Sequence, residues 1–280
     1  MKASPLEYAR AVDLDSALTL LREGGADAKP IAGGQSLVAS LNLRLVDGVR
    51  LVDINHLQEL RGIEDLGDRL RIGALTRHCE LETSPLIARW TPALAQAASL
   101  IGHVAIRTRG TIGGSIAYAD PAAELPACAV ALNASIVLAG PAGERRVPAE
   151  SFFHGLFETA RNDDELITAV EFPKIAEGER QVVLELARRS GDYALAGIVV
   201  TCARENNTFA GCRIACFGVG EAPVLARQAM QALADGNDIE AACQALDADL
   251  DPPDDATASG EYKKHISRVL LKRALSELAG

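Results

Sequence analysis

The sequence predicts an α+β protein of two domains, and three observations support this fold class. A short strand–turn–helix–strand pattern with a glycine pair in its turn lies near the start of the chain. A charged segment with a glycine, residues 175–181, interrupts the apolar runs and reads as a linker. Strand-length runs and then helical stretches follow it. We therefore predict a first domain over residues 1–175, with subdomains of about 1–56 and 57–175, and a C-terminal domain over 176–280.

The composition is typical of a folded protein and argues against binding to polyanions. The chain has 280 residues, of which 48% are hydrophobic and 24% charged, so a sizeable core can form. Its formal net charge is −10 and it has no long basic run, which argues against nucleic acid or an anionic membrane surface as partner. No run approaches the ~18 apolar residues of a transmembrane helix, and the first residues lack a signal-peptide pattern. We expect a cytoplasmic protein without a transmembrane segment.

The N-terminal stretch contains a compact strand–helix–strand unit. Leucines at helical spacing predict a helix over residues 16–24, and the apolar run at 29–32 predicts a short strand. A second helix is predicted from Ser36, near its N-cap, because apolar residues recur at every fourth position after it. A strand over 50–54 completes a βαβ unit, which places a glycine pair in the turn where a strand ends.

The rest of the first domain alternates strand-length and helix-length apolar runs. The predicted strands cover residues 70–74, 135–139 and 165–172, and the predicted helices cover 76–82, 92–101 and 124–132. Each helix and strand is of a length common in globular domains. This part of the chain also contains a second glycine pair, which the segment at 103–110 directly precedes.

The C-terminal domain is predicted to carry a three-stranded antiparallel sheet with helices. The predicted strands cover residues 181–188, 198–203 and 211–219, and the predicted helices cover 224–234, 239–246 and 263–278. Glu205-Asn206-Asn207 has the residue types of a turn, and it would join the second strand to the third. Sequential strands joined by such turns are typical of an antiparallel meander, so this domain is α+β as well.

The six cysteines give no sign of a metal centre in this chain. They are scattered and include no C-x-x-C pair. Cys212 and Cys216 lie four residues apart in a strand-like run, which places both on one face of a strand. We therefore predict free, buried thiols and no metal-binding residue, while metal ligation is the less favoured alternative. The histidines show no ligand spacing either, and we predict no catalytic side chain.

Two glycine loops carry the main functional signal. Each combines a glycine pair with a terminal serine, in the sequences Ala32-Gly33-Gly34-Gln35-Ser36 and Thr111-Ile112-Gly113-Gly114-Ser115. Paired glycines allow backbone N–H groups to approach an anion, and a serine hydroxyl or a following helix N-terminus adds to the attraction. One such loop is weak evidence, since a lone glycine pair is usually a turn. Two in one domain predict a ligand with two phosphates, such as a dinucleotide.

These loops, with three further segments, resemble the FAD-binding medium subunit of the molybdenum hydroxylases, a family that includes xanthine dehydrogenase and carbon monoxide dehydrogenase. The further segments begin at Ala119-Asp120-Pro121, at Arg188-Arg189-Ser190 and at Ser259-Gly260-Glu261. Together they span essentially the whole chain in family-like order. The resemblance implies a two-subdomain FAD-binding fold of the vanillyl-alcohol oxidase type, followed by the medium subunit's C-terminal domain.

The resemblance also implies a set of cofactor contacts. Residues 32–36 and 111–115 would wrap the FAD diphosphate, and Glu124 would bind the adenosine ribose. Asp120 would touch the ribityl or pyrophosphate region. The backbone of Ile167 would meet the adenine, Tyr193 would lie against the isoalloxazine ring, and Ile101 would lie near the flavin.

Each contact has a structural alternative. Glu124 could be a carboxylate favoured by a helix N-terminus, and Asp120 could be a cap before a proline. Tyr193 could be an ordinary core aromatic. Two positions depart from the family pattern: Gln35 stands where some relatives have histidine, and Ser115 where asparagine is common. Glutamine cannot form a histidyl–flavin bond, so we expect non-covalent FAD, and a serine hydroxyl can replace one amide donor.

The function implied by the resemblance is that of an electron-transfer subunit. A separate large subunit would carry molybdopterin and a small subunit two [2Fe-2S] clusters, in a dimer of heterotrimers. FAD in this chain would pass electrons to an external acceptor. Two alternatives stay open: a free-standing FAD-dependent oxidoreductase of the same superfamily, and a scaffold subunit that has lost FAD. The sequence does not reveal the substrate, the stoichiometry, or whether the acceptor is NAD, a quinone, a cytochrome or oxygen.

Overall fold

A computed structural model of the chain describes residues 3–205, 208–236 and 238–280. Within these ranges the strands form sheets of three, five and four strands and one two-stranded ribbon. Helices cover the sheets, so the predicted α+β class is confirmed. Among the described residues, no helix combines the length and the apolar character needed to cross a bilayer.

The N-terminal lobe, residues 3–56, is a parallel three-stranded sheet with two helices. Its strands β1 (Glu7–Arg10), β2 (Ala28–Ile31) and β3 (Arg50–Asp53) lie in the order β1-β3-β2, and its helices are α1 (Leu14–Gly24) and α2 (Leu37–Asn42). Strands β2 and β3 are parallel and α2 connects them, which confirms the predicted βαβ unit. Helix α2 ends at Asn42 and is shorter than the apolar spacing predicted. Leu45, the last residue of that spacing, lies beyond the helix and is exposed.

The central lobe, residues 57–175, is built around an antiparallel five-stranded sheet. Across the sheet its strands are β4 (Ile63–Asp65), β5 (Arg69–Gly73), β10 (Leu166–Pro173), β6 (Ser135–Gly140) and β7 (Gly143–Pro148). The ribbon consists of β8 (Phe153–Gly155) and β9 (Glu158–Thr159). The helices are α3 (His78–Thr83), α4 (Pro85–Trp90), α5 (Pro92–Leu100), α6 (Val104–Arg107), α7 (Ile112–Tyr118) and α8 (Glu124–Ala131). Their apolar residues form one core with the sheet.

The C-terminal domain carries a four-stranded antiparallel sheet and three helices in the part of the chain that is described. The strands β11 (Glu179–Ala187), β12 (Ala194–Glu205), β13 (Thr208–Phe217) and β14 (Val224–Leu225) follow one another across the sheet. The helices are α9 (Arg227–Gly236), α10 (Ile239–Ala245) and α11 (Gly260–Ala279). The three predicted strands are confirmed, and the turn predicted at residues 205–207 lies partly outside the described residues.

Two boundaries in this domain differ from the sequence-based expectation. The segment at 175–181, predicted as a linker, already contains the start of β11, because its polar residues pair with β12 at the edge of the sheet. Residues 224 and 225, predicted as the start of a helix, instead pair with β13 as a short edge strand, and the helix begins at Arg227.

The two faces of the C-terminal sheet pack against different partners. Side chains alternate along β11, so Val182 joins the core under helices α9–α11, while Val183 joins the core of the central lobe. Phe217 of β13 lies in the same central core, and β13 packs against α8. The Gly218 N–H also donates to the Pro121 carbonyl oxygen at 2.8 Å. One face of the C-terminal sheet therefore packs against the central lobe and contributes side chains to its core.

A buried lysine anchors the last helix. Lys263, near the start of α11, has a side chain only 5% exposed, and its ammonium group pairs with the carboxylate of Asp255. This pairing, with hydrogen bonds from Thr257, holds the pKa of Asp255 well below its usual range. The Lys263 ammonium also reaches the Pro253 carbonyl oxygen at 3.4 Å. The loop before α11 thus supplies the counter-charge that a buried ammonium needs.

One cysteine pair does not match the prediction of free thiols. Cys202 of β12 and Cys212 of β13 form a disulfide, with their Cα atoms 4.2 Å apart. Neighbouring antiparallel strands bring them together, and this depends on strand register, which sequence spacing alone does not reveal. The free cysteines among the described residues are Cys79, Cys128, Cys216 and Cys243, of which the last three are buried.

Candidate functional site

A cleft with a volume of about 480 Å³ lies between the N-terminal and central lobes. Its size is that of a typical small-molecule or cofactor site. All but one of the predicted cofactor contacts line it, namely Ala32, Gly33, Gly34, Gln35, Ser36, Ile101, Thr111, Gly113, Gly114, Ser115, Asp120, Glu124, Ile167 and Tyr193. The exception is Ile112, whose side chain is fully buried in the core of the central lobe.

The first glycine loop presents unused backbone donors to the cleft. It leaves the sheet at the carboxyl end of β2, and Gly34 adopts φ +72°, a left-handed conformation that glycine reaches without strain. In the described part of the chain, no acceptor is bonded to the backbone N–H groups of residues 33–36. The Gln35 side chain turns back and donates to the Gly33 carbonyl oxygen at 3.1 Å. This loop therefore has the free donors that an anionic group requires.

Gly33 also holds the two lobes together. A Cβ atom added at this position would overlap the carbonyl oxygen of Arg109 and lie 2.8 Å from the Cα of Gly110. The backbone of the first loop therefore rests directly on the segment that leads into the second loop. The absence of a side chain at Gly33 is required by this close approach within the protein, whether or not a ligand is bound.

The second glycine loop differs from the first because the protein already uses its donors. Its hydrogen bonds run from the N–H groups of Ile112, Gly113, Gly114 and Ser115 to Thr76 O, Ala74 O, Thr111 Oγ1 and Thr111 O, at 3.1, 2.9, 3.1 and 3.0 Å. The N–H groups of residues 112–115 are thus already hydrogen-bonded within the protein, unlike those of the first loop. Ile112 offers the cleft neither its side chain nor its N–H, because it begins helix α7 and faces the core.

Gly114 contributes space to the cleft. A Cβ atom placed on it would meet only the Thr111 hydroxyl, at 2.9 Å, and otherwise open volume. Because that hydroxyl caps α7 by accepting from the Gly114 N–H, the loop is rigid as well as small. The second loop thus acts as a close-fitting wall of the cleft.

Buried carboxyl groups mark one corner of the cleft. Glu124, the first residue of α8, is only 8% exposed, and burial raises its pKa to about 8, with further upward contributions from the charges of Glu185 and Asp120. Burial also raises the pKa of Asp120, whose carboxylate accepts from the Ala122 N–H at 2.9 Å. We call Asp120, Glu124 and Tyr193 the acidic corner. At neutral pH its glutamate is a neutral carboxyl group that can both donate and accept hydrogen bonds.

Tyr193 belongs to this corner and is not a core residue. Its side chain is 67% exposed, which excludes the core alternative. Its neighbours nevertheless desolvate the hydroxyl enough to raise its pKa, and the charges of Asp120 and Glu124 raise it further.

Several cleft residues escaped the sequence-based prediction. They include Lys29, His78, Tyr118, Phe157 and Arg161. Tyr118 and Phe157 pack with ring centroids 4.9 Å apart. Burial lowers the pKa of His78 to about 4. No spacing rule pointed to these residues, because they come from separate elements that meet only in the folded chain.

The buried carboxyl of Glu124 predicts a pH-dependent stability. Its folded-state pKa of about 8 lies above its ordinary value of 4.5, so between these values the unfolded chain loses a proton that the folded chain keeps. Folding stability therefore falls by up to about 1.4 kcal/mol per pH unit in this window. Glu124→Gln should remove that contribution and stabilise the protein at pH 8 more than at pH 5. Denaturant titrations at both pH values test this, and equal effects at the two would contradict it.

Comparisons with known proteins agree with this architecture. A family model described as the FAD binding domain in molybdopterin dehydrogenase matches residues 4–175, and one described as the CO dehydrogenase flavoprotein C-terminal domain matches residues 182–278. The 6-hydroxypseudooxynicotine dehydrogenase complex subunit alpha of Paenarthrobacter nicotinovorans is 38% identical, over 99% of this chain and 95% of its own. The carbon monoxide dehydrogenase medium chain of Hydrogenophaga pseudoflava is 36% identical, over 96% of both.

Solved structures give the same result. A chain of carbon monoxide dehydrogenase from Hydrogenophaga pseudoflava, in a form lacking the Mo-pyranopterin moiety of its molybdenum cofactor, superposes with a TM-score of 0.96 and 36% identity, over 99% of this chain and 98% of that one. A chain of quinoline 2-oxidoreductase from Pseudomonas putida 86 superposes with a TM-score of 0.94 and 31% identity, over 100% and 98%.

The fold and the cleft thus define an oxidoreductase subunit with an FAD-binding domain, which confirms the expected class and cofactor domain. The chain belongs to the family of FAD-binding medium subunits of the molybdenum hydroxylases, which includes those of carbon monoxide dehydrogenase and xanthine dehydrogenase.

Proposed function

We propose that this chain binds FAD non-covalently and passes electrons from the iron–sulfur clusters of a partner subunit through FAD to an external acceptor. The observation that carries the proposal is the row of unused N–H donors at residues 33–36, which opens into a cofactor-sized cleft. Leaving such N–H donors unpaired costs free energy unless water or a ligand accepts hydrogen bonds from them. A diphosphate is a suitable acceptor.

The residues of the cleft fit the remaining parts of FAD. Gly114 leaves open volume beside the first loop, and the apolar side chains of Ile101 and Ile167 line the walls. Tyr193 is exposed enough to stack on an aromatic ring. We place Glu124 against the adenosine ribose and Tyr193 against the isoalloxazine ring, as the resemblance implies. We retain all the cleft-lining residues predicted from the sequence as cofactor contacts.

The protein groups would hold and orient the cofactor. The first loop would bind the diphosphate through its N–H groups, and the carboxyl group of Glu124 would hydrogen-bond the adenosine ribose. When bound, FAD supplies the one- and two-electron transfer chemistry. Gln35 is engaged with the Gly33 carbonyl and offers no histidine-type attachment point, which supports non-covalent binding.

The proposed assembly is a dimer of heterotrimers with a molybdopterin subunit and an iron–sulfur subunit, in the cytoplasm. The relatives named as medium chains of multi-subunit dehydrogenases support this part of the proposal. We also retain the division into a domain over residues 1–175 and one over 176–280, with subdomains at about 1–56 and 57–175.

Reconstitution of the purified chain with FAD tests the proposal. We expect the visible absorption bands of oxidised flavin to stay with the protein through gel filtration, and acid denaturation to release the flavin intact. We expect FMN, which lacks the AMP half, to be retained less well. Failure to retain FAD would favour the scaffold alternative.

A second measurement separates the relay role from a free-standing enzyme. We expect the FAD-loaded chain to be reduced by dithionite but by an organic substrate only in the presence of its partner subunits. Substrate turnover by the isolated chain would favour the free-standing oxidoreductase.

A further inference from the structure

Asn55 lies where the first glycine loop leaves the N-terminal sheet. Strands β2 and β3 are parallel, so their carboxyl ends meet and bring Asn55 beside Ala32. The side-chain amide of Asn55 donates to the Ala32 carbonyl oxygen at 2.8 Å and to Oδ1 of Asp53 at 2.8 Å. Each atom that this amide nitrogen bonds is an acceptor, which fixes the orientation of the amide group. Asn55 therefore holds the first residue of the loop that carries the unused N–H donors.

Arg77 reaches the same asparagine from the central lobe. It directly precedes helix α3, and its backbone pairs with that of Thr111, in the second glycine loop, through an isolated β-bridge. One terminal nitrogen of its guanidinium group, Nη2, donates to Oδ1 of Asn55 at 2.9 Å, and the other, Nη1, donates to the Arg109 carbonyl oxygen. A planar guanidinium group presents several donors in a fixed geometry, so one arginine side chain binds both acceptors at once.

These contacts form a closed ring that joins the two lobes. The first loop is held at Ala32 by Asn55, and Asn55 is held by Arg77. Arg77 in turn binds the Arg109 carbonyl oxygen, which is the atom that a Cβ at Gly33 would overlap. The ring thus returns to the first loop one residue after Ala32. We call the side chains of Asn55 and Arg77 the clasp.

Positive charge is a second feature of this region. Arg61 donates from Nη2 to the backbone carbonyl oxygen of Asn55 at 2.8 Å, so two guanidinium groups meet at one asparagine. Burial lowers the pKa of Arg77, and the neighbouring charges of Arg61 and Arg109 lower it further. Such charge attracts a diphosphate from a distance, whereas the hydrogen bonds of the clasp act on the position of the backbone. The two effects therefore require different variants to separate them.

We propose that Asn55 and Arg77 are positioning residues: they hold the first glycine loop against the segment before the second, so that the N–H groups of residues 33–36 face the place where the diphosphate binds. This inference rests on the proposed FAD site. The described residues that line the cleft do not include Asn55 or Arg77, so both act through the backbone of the loops. Without the clasp, the carbonyl oxygens of Ala32 and Arg109 lose the donors that fix their direction.

FAD titrations of the full-length apoprotein, followed by flavin fluorescence, test this proposal. Arg77→Met removes both hydrogen bonds of the guanidinium group, and FAD affinity should fall at least about tenfold. Arg77→Lys keeps the charge, but one ammonium group does not reproduce the planar pair of donors, so we expect most of that loss to remain. The matched control is Arg109→Met, which removes a neighbouring charge from an exposed side chain and leaves the Arg109 carbonyl oxygen in place. Its FAD affinity should change at most about twofold, because solvent and salt screen an exposed charge.

Riboflavin, which lacks the diphosphate, separates positioning from a general loss of structure. Because the clasp acts on the loop that binds the diphosphate, Arg77→Met should weaken riboflavin binding much less than FAD binding. A double-variant cycle with Asn55→Ala is an independent measurement. Since the two residues act as one unit, the double variant should bind FAD no more weakly than Arg77→Met alone.

Equal losses of affinity for FAD and riboflavin, or additive losses in the cycle, would overturn the inference. Full recovery in Arg77→Lys, or a loss in Arg109→Met as large as that in Arg77→Met, would also overturn it, because either result would show that charge alone matters. Absence of FAD binding by the wild type would overturn the proposed function instead. In that case the same cycle, measured on the free energy of unfolding of the apoprotein, still tests the clasp, and additive effects would rule it out.

Discussion

Gly114→Val is expected to lower the FAD affinity of this chain on the order of 100-fold while leaving its fold intact. The glycine lines the cleft, and the added methyl groups would occupy volume that the structure leaves open. Among the described residues, the close neighbour of the new Cβ outside the helix's own backbone is the Thr111 hydroxyl, whose displacement would weaken one helix cap at a cost of about 1 kcal/mol. Flavin content after gel filtration and thermal denaturation of the apoprotein measure the two effects.

Gly33→Val is the informative contrast. Its Cβ would overlap the Arg109 carbonyl oxygen, so the two lobes would have to separate. We therefore expect this variant to lose both FAD and stability, whereas Gly114→Val loses FAD alone. Unchanged flavin content in Gly114→Val would contradict the assignment of the second loop as a wall of the FAD cleft.

Asp255→Ala is expected to destabilise the protein by about 3 kcal/mol, because it leaves the buried ammonium of Lys263 without its counter-charge. Asp255 is itself partly exposed, so the loss arises mainly from the stranded cation and not from a lost contact of the aspartate. The free energy of unfolding from denaturant titration at neutral pH is the measurement.

A second substitution identifies the cause. Lys263→Met keeps most of the side-chain volume and removes the charge, so the double variant Asp255→Ala/Lys263→Met should recover most of the lost stability. If the two substitutions changed the free energy of unfolding additively, the lost stability would have to come from the loop before α11 and not from the buried charge.

The features predicted well from the sequence have local causes. The βαβ unit follows from apolar spacing and from glycines at the end of β2, and both signals lie within a few dozen residues. The glycine loops line a single cleft because glycine pairs mark positions where backbone approaches backbone or ligand. The second loop follows the same rule, because its glycines let backbone approach backbone, although its N–H groups are hydrogen-bonded within the protein.

The features missed depend on tertiary contacts. Whether the N–H groups of the second loop are free is decided by Thr76 and Ala74, which belong to a separate segment of the chain. The disulfide depends on the register of β12 against β13.

The contact between Gly33 and the Arg109–Gly110 segment couples ligand binding to the docking of the lobes. The residues that meet there are far apart in sequence, so the cleft exists only when both lobes are folded and docked. A cofactor that touches both lobes therefore stabilises the docked state by mass action, by about 2.7 kcal/mol at a free concentration a hundred times its dissociation constant. Cofactor binding and docking of the two lobes are therefore thermodynamically coupled in this protein.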